Sequence, residues 1–116
     1  MRLLARKNGF EDTFLDRCHT AVEKGLIEWT LNVEAGATLR NKLSKDRYVE
    51  IRYEHLVDDP RFLLMNLAEF LGVSSCVLNV VQKRLCRRSP AACELEWPDN
   101  VHDRTEQLLR DLGYNL

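Results

Sequence analysis

Residues 47–73, RYVEIRYEHLVDDPRFLLMNLAEFLGV, constrain the fold more than any other segment of this sequence. Val49, Ile51 and Tyr53 alternate with more polar side chains, a period of two that predicts a short β-strand with two distinct faces. A single strand leaves the hydrogen-bonding groups of its backbone unpaired, which is costly where they are buried. The partner strand is therefore either elsewhere in the chain or in a second molecule, and we expect pairing across a dimer.

The helix after this strand has a clear start and a clear end. Asp59 is placed to cap free backbone N–H groups, and Pro60 occupies the first helical position, where its missing N–H costs nothing. Gly72 ends the helix, because only glycine enters the left-handed conformation cheaply. The apolar face between them consists of Leu63, Leu64, Leu67, Ala68, Phe70 and Leu71. Residues 47–72 are thus predicted to form a strand–turn–helix unit.

The first half of the chain is predicted to be helical over residues 11–43. Asp12 or Thr13 is expected to cap the start, and Gly25 and Gly36 are the expected places for a kink or break. The region is therefore one long helix or two shorter ones. Few other elements are available to cover its apolar face, which suggests a partner chain. That face repeats every three or four positions and consists of Phe14, Cys18, Val22, Leu26, Trp29, Val33 and Ala37.

The C-terminal part is predicted to hold two further helices, at about residues 75–88 and 103–112. The segment between them, SPAACELEWPDN, is irregular, with two prolines and an Asp-Asn pair. Gly113 is expected to close the last helix. Residues 1–116 are therefore predicted to form a single, mainly α domain with four to five helices and one short β-strand.

Composition excludes several classes of protein. The 116 residues carry 17 basic and 18 acidic side chains, a net charge of −1, so a general nucleic-acid binder is not expected. No apolar run approaches the roughly 18 residues of a membrane-spanning helix. The start, MRLLARKNGFED, lacks the longer apolar core of a signal peptide, so we expect a cytoplasmic protein.

The four cysteines and three histidines do not predict a metal or catalytic site. None of the cysteines forms a C-x-x-C pair, and the histidines are scattered, whereas zinc sites need closely spaced ligands. Cys86 and Cys93 are near enough to close a short disulfide loop, but without a secretory signal reduced thiols are expected. Cys18 and His19 are adjacent, yet neighbours on a helix point in different directions, so both are predicted to be structural.

The segment at residues 47–73 resembles part of the sulfotransferases that use 3'-phosphoadenosine 5'-phosphosulfate (PAPS). Those enzymes share the order strand, R-Y-E-D-L, acidic turn, proline, helix and F-L-G. His55 stands where the family usually has aspartate. Looser similarity around Trp29, Trp97 and the closing LLRDLGY extends the resemblance over most of this chain, but only to the C-terminal part of that P-loop-like α/β fold. The residues that match in register are Tyr53, Glu54, Leu56, Pro60, Phe70, Leu71 and Gly72.

The chemistry of that family depends on segments that this sequence does not contain. A loop of the form G-x-x-[RK]-[ST]-G-[ST] holds the nucleotide by converging backbone N–H groups on phosphate oxygens. An R-D-P-R-x-x-x-x-S segment holds the 3'-phosphate, and a histidine activates the acceptor hydroxyl in many members. The DDPR at residues 58–61 belongs to the turn before the helix. We therefore assign no catalytic residue and expect no sulfuryl transfer by this chain alone.

The resemblance implies Tyr53, Arg87 and Arg88 as residues that bind PAPS or adenosine 3',5'-bisphosphate (PAP), should the nucleotide site be retained. Tyr53 matches a tyrosine near the adenine in some members; alternatively, its ring packs in the core. Arg87 and Arg88, with Lys83 and Arg84, fall near a basic segment that contacts the 3'-phosphate. Alternatively, these cations complement the dipole of a helix C-terminus.

Two functions are compatible with these patterns. The first is a non-catalytic binding or assembly protein that forms a homodimer, for which the long apolar helix and the unpaired strand argue. The second is the C-terminal portion of a PAPS-dependent sulfotransferase that contributes to the nucleotide cleft with a separate, loop-bearing polypeptide. A nucleic-acid contact near Arg87 is disfavoured by the balanced charge.

Overall fold

The computed structural model describes residues 1–74, 76 and 97–114. These residues contain six helices: α1 (Arg2–Lys7), α2 (Asp12–Leu15), α3 (Ala21–Lys42), α4 (Tyr53–Asp58), α5 (Pro60–Leu71) and α6 (Asp103–Asp111). The mainly helical class is confirmed, whereas α1 and α4 were not predicted. Apart from residue 76, the helix predicted at residues 75–88 lies outside the described residues. The chain divides into two compact units, Met1–Leu39 with Leu95–Leu116 and Arg40–Glu94, which are described separately.

The break between α2 and α3 is caused by a capping box at Thr20 and Glu23. The Glu23 carboxylate accepts hydrogen bonds from the backbone N–H groups of His19 (2.9 Å) and Thr20 (2.8 Å), and the Glu23 N–H donates to the Thr20 hydroxyl (3.2 Å). These bonds satisfy backbone N–H groups that have no partner within the helix, which favours a helix start here, and α3 begins at Ala21. They also hold the pKa of the Glu23 carboxyl below its usual value, chiefly through the Thr20 N–H. A break at Gly25 or Gly36 is contradicted, since both residues lie inside α3. A kink at either residue stays a prediction.

The core of the first unit forms where α1, α2 and α3 meet. Ile27 is 1% exposed, and Leu31 packs against the same cluster. The other members of the cluster are Ala5, Phe10, Phe14, Leu15 and Cys18. Residues of the same chain therefore cover the buried face of α3. A partner chain on the remaining surface of this helix stays a prediction.

The phase of the predicted apolar face on α3 is also wrong. The buried residues of α3 are Glu23, Ile27 and Thr30, while Val22 of the predicted face is 36% exposed. The predicted phase started from Phe14, which belongs to α2 and is separated from α3 by a turn. Because the helix does not run through that turn, the spacing of three or four does not carry across it.

Arg104 joins α6 to the rest of the first unit. Its guanidinium forms an ion pair with Glu34, donates to the Asn8 carbonyl at 2.5 Å, and lies 5.0 Å from the ring centroid of Phe10. The hydrogen bonds to Glu34 are the main reason that the pKa of Arg104 is raised. One side chain thus connects α6, α3 and the end of α1.

His102 caps the start of α6 and fills a gap between two phenylalanine rings. Its Nδ1 accepts a hydrogen bond from the Arg104 N–H at 3.2 Å, so Nδ1 carries no proton in this arrangement. The imidazole is edge-on to Phe10 and Phe14, with both centroid distances 4.8 Å. His102 is therefore a structural residue that fixes where α6 begins.

In the second unit, the predicted bounds of α5 are confirmed. The helix starts at Pro60 and ends at Gly72, whose φ of 66° is the left-handed value that favours glycine. Asp59 occupies the cap position, but its side chain makes no capping hydrogen bond. The α5 residues Leu64 and Ala68 are buried.

Candidate functional site

The segment before α4 is extended but does not form the predicted strand. Arg52 has φ −91° and ψ 133°, values of extended backbone. The described residues contain no β-strand, and the Leu56 N–H bonds to the Arg52 carbonyl, which begins α4. A β-strand is defined by its partner, and the part of the chain that the structure describes supplies none for this segment. The prediction of a strand ending in Tyr53 is therefore wrong for the single chain.

The two faces predicted from the alternation are nevertheless present. Tyr48 and Glu50 lie on one face, where the Tyr48 hydroxyl donates to the Glu50 carboxylate at 3.4 Å. Arg40, in the last turn of α3, forms an ion pair with the same carboxylate at 3.3 Å. Val49 and Ile51 are 43% and 40% exposed. The side chain of Glu50 thus connects the segment to Arg40 of α3, while the side chains of Val49 and Ile51 remain in contact with water.

The backbone of Tyr48–Ile51 makes no backbone hydrogen bond to any residue in the described ranges. The last such bond before it closes a turn, from the Arg47 N–H to the Ser44 carbonyl at 3.0 Å. A partly apolar stretch whose N–H and C=O groups bond to no other backbone group of the described residues can pair with another strand. We name residues 48–51 the extended segment and take it as the candidate functional site.

A groove lies behind the extended segment, within the second unit. Its volume is about 320 Å³. Two cations, Arg40 and Lys45, and the apolar residue Leu43 are among the residues that line it. The remaining lining residues are Ser44, Tyr48, Val49 and Glu50. Among the described residues, the extended segment contacts α3 through the ion pair of Glu50 with Arg40.

Of the three residues implied for nucleotide binding, the structure places one. Tyr53 is the first residue of α4 and is 60% exposed, so the alternative in which its ring packs in the core is wrong. Arg87 and Arg88 lie outside the described residues, as do Lys83 and Arg84. The described ranges therefore place an available aromatic ring at this position but leave its relation to the basic cluster open.

Cys18 is a free thiol in a protected position. Its sulfur donates to the Phe14 carbonyl and accepts from the Asn100 amide, both at 3.5 Å. Burial raises the pKa of the thiol, and the neighbouring Glu23 carboxylate adds to this. A thiol held protonated in this way is a poor nucleophile, so these contacts favour a structural role. Cys86 and Cys93 lie outside the described residues.

Two further properties concern ligands and membranes. Within residues 1–74, 76 and 97–114, no three His, Cys, Asp or Glu side chains are grouped in a way that would hold a metal ion. In the same ranges, no helix has both the length and the apolar character needed to span a bilayer.

Sequence reasoning missed the residues that position the candidate site. The partnership of Arg40 with Glu50 joins residues ten positions apart in different elements, and no local pattern indicates it. The capping box at Thr20 and Glu23 did have a signal, the T-x-x-E pattern.

Comparison with protein-family models, with curated proteins and with solved structures gave no match.

Proposed function

We propose that this chain is a sulfotransferase-related, non-catalytic binding and assembly protein that acts as a cytoplasmic homodimer. The observation that carries the proposal is the extended segment, whose backbone makes no backbone hydrogen bond to other described residues and whose Val49 and Ile51 side chains are exposed. A second copy has the same segment, and a twofold axis lets the backbone N–H and C=O groups of each copy hydrogen-bond to those of the other.

Antiparallel pairing about Ile51 gives a favourable register. A twofold axis at this residue sets Ile51 opposite the partner's Ile51, and the pairing ends at Arg52 because α4 begins at Tyr53. The same register sets Glu50 opposite the partner's Arg52, so opposite charges meet on the polar face. Cross-strand apolar and opposite-charge pairs each contribute roughly 0.2–1 kcal/mol, and like charges directly opposite are destabilising.

Ile51→Lys is expected to convert the dimer to a monomer. Because Ile51 lies on the proposed axis, the substitution places two ammonium groups opposite each other and removes an apolar pair. Sedimentation velocity at micromolar concentration is expected to give twice the chain mass for the wild type and the single chain mass for the variant. Leu3→Lys is the matched control, since Leu3 is 66% exposed on α1 and lies outside the extended segment. A monomeric wild type, or an Ile51→Lys variant that stays dimeric, would contradict the proposal.

The second candidate function is a contribution to the nucleotide cleft of a sulfotransferase assembled with a loop-bearing polypeptide. The exposure of Tyr53 favours it, because an aromatic ring must be accessible to stack on adenine. PAP binding is expected to be lost in Tyr53→Ala and kept in Tyr53→Phe, measured by calorimetric titration. The absence of heat from the wild type at millimolar PAP would remove an autonomous nucleotide site, and equal affinities for all three proteins would remove the role of the ring.

A further inference from the structure

A second cavity, of about 320 Å³, lies within the first unit and has no role in the proposed assembly. It opens between the start of α1, the turn after α2 and the first two turns of α3. Its floor is apolar and buried, and consists of Leu15, Cys18 and Ile27. The other lining residues are Met1, Arg2, Asp16, His19 and Lys24. The size is at the lower end of the range for small-molecule sites.

The charges around this cavity favour an anion. Arg2 and Asp16 form an ion pair and offset each other. Lys24 forms no ion pair or side-chain hydrogen bond within the described ranges. The nearby Glu23 carboxylate is occupied by the N–H groups of His19 and Thr20. The ammonium of Lys24 is therefore the main charge available to a ligand.

Lys24 and the Cys18 thiol line the same cavity. Burial raises the pKa of Cys18, the Glu23 carboxylate adds to this, and the positive charges of Arg17 and Lys24 oppose it. A ligand whose anionic head bound Lys24 would place its apolar body in the cavity that Leu15 and Ile27 also line.

We propose that this cavity binds a small organic anion, a carboxylate with a short aliphatic body. Lys24 donates a charge-assisted hydrogen bond to the carboxylate, and the His19 ring at the rim is a second donor. The aliphatic body lies on Leu15 and Ile27 and removes apolar surface from water. An inorganic anion would gain only the first of these contributions, and a neutral aliphatic alcohol only the second.

Hexanoate is the probe for this site, followed by methyl NMR of the full chain. We expect saturable shifts of the Leu15 and Ile27 methyl signals with hexanoate, and no shift at Leu64, which belongs to the other unit. Acetate lacks the aliphatic body and hexanol lacks the charge, so the affinity for each is expected to be lower than that for hexanoate by about tenfold or more.

Lys24→Met tests the charge while keeping the length of the side chain. The variant is expected to weaken hexanoate binding about tenfold, in line with the loss of one charge-assisted hydrogen bond. Lys42→Met is the matched control, because Lys42 is an exposed lysine of the same helix that does not line the cavity. No saturable shift at the Leu15 and Ile27 methyls, or equal affinity of wild type and Lys24→Met, would overturn the proposal. Neither outcome bears on the homodimer, since the cavity and the extended segment share no residue.

Discussion

Ile27→Ala is expected to lower the free energy of unfolding by about 2–5 kcal/mol. Ile27 is 1% exposed and belongs to the buried cluster that unites α1, α2 and α3. Truncation removes buried methyl and methylene groups and leaves a cavity that neighbouring side chains fill only in part. For a small domain, a loss of this size is a large share of the total stability.

Urea denaturation followed by circular dichroism at 222 nm measures this effect. Leu39→Ala is the matched control, since Leu39 lies on the same helix but is 50% exposed. The control is expected to change the free energy of unfolding by about 0.5 kcal/mol or less, as is usual for surface substitutions. Equal shifts of the two denaturation midpoints would show that α3 does not bury Ile27 in solution.

The bounds of α5 and α6 are predictable from the sequence because their determinants are local. Pro60 and Gly72 are the first and last signals of α5, and each acts through its own backbone geometry. The end of α6 near Gly113, with φ 80°, has the same cause. Such signals do not depend on where the rest of the chain lies, so the neighbouring residues suffice to predict where these helices begin and end.

Which face of α3 is buried cannot be predicted in this way, because it depends on contacts with residues that are distant in the sequence. Thr30 and Glu34 are polar, so a hydrophobicity pattern predicts that they lie at the surface. In the structure they face Thr105 and Arg104, partners 75 and 70 residues away. A buried polar residue is acceptable only when a partner satisfies it, and the sequence does not show which residue that is.

The extended segment illustrates a different limit of sequence reasoning. The alternation of Tyr48, Val49, Glu50 and Ile51 predicts two faces, and the structure has both. Whether such a stretch becomes a strand depends on a partner edge, which is a property of the assembly and not of the segment. The same residues can therefore be an irregular extended segment in one chain and a strand in a pair of chains.

Thr30→Val and Thr105→Val are expected to destabilise the protein unequally, although the two hydroxyls lie 2.8 Å apart in one hydrogen bond. The Thr30 hydroxyl also lies 2.7 Å from the Leu26 carbonyl, which can only accept. The single proton of Thr30 is therefore donated to Leu26, and Thr105 must be the donor in the bond between the two threonines.

The direction of the hydrogen bond between the two threonines determines which substitution lowers the free energy of unfolding more. Thr30→Val leaves the Thr105 hydroxyl buried without its acceptor, at a cost of about 1–3 kcal/mol, because Thr105 is 1% exposed. Thr105→Val leaves the Thr30 proton bonded to Leu26, so only an ordinary hydrogen bond is lost, about 0.5–1.5 kcal/mol. The double variant removes both hydroxyls and is expected to cost no more than Thr30→Val alone. Urea denaturation of the four proteins completes the cycle. A larger loss for Thr105→Val than for Thr30→Val would show that the bond runs in the opposite direction. Additive losses would show that the two hydroxyls do not interact.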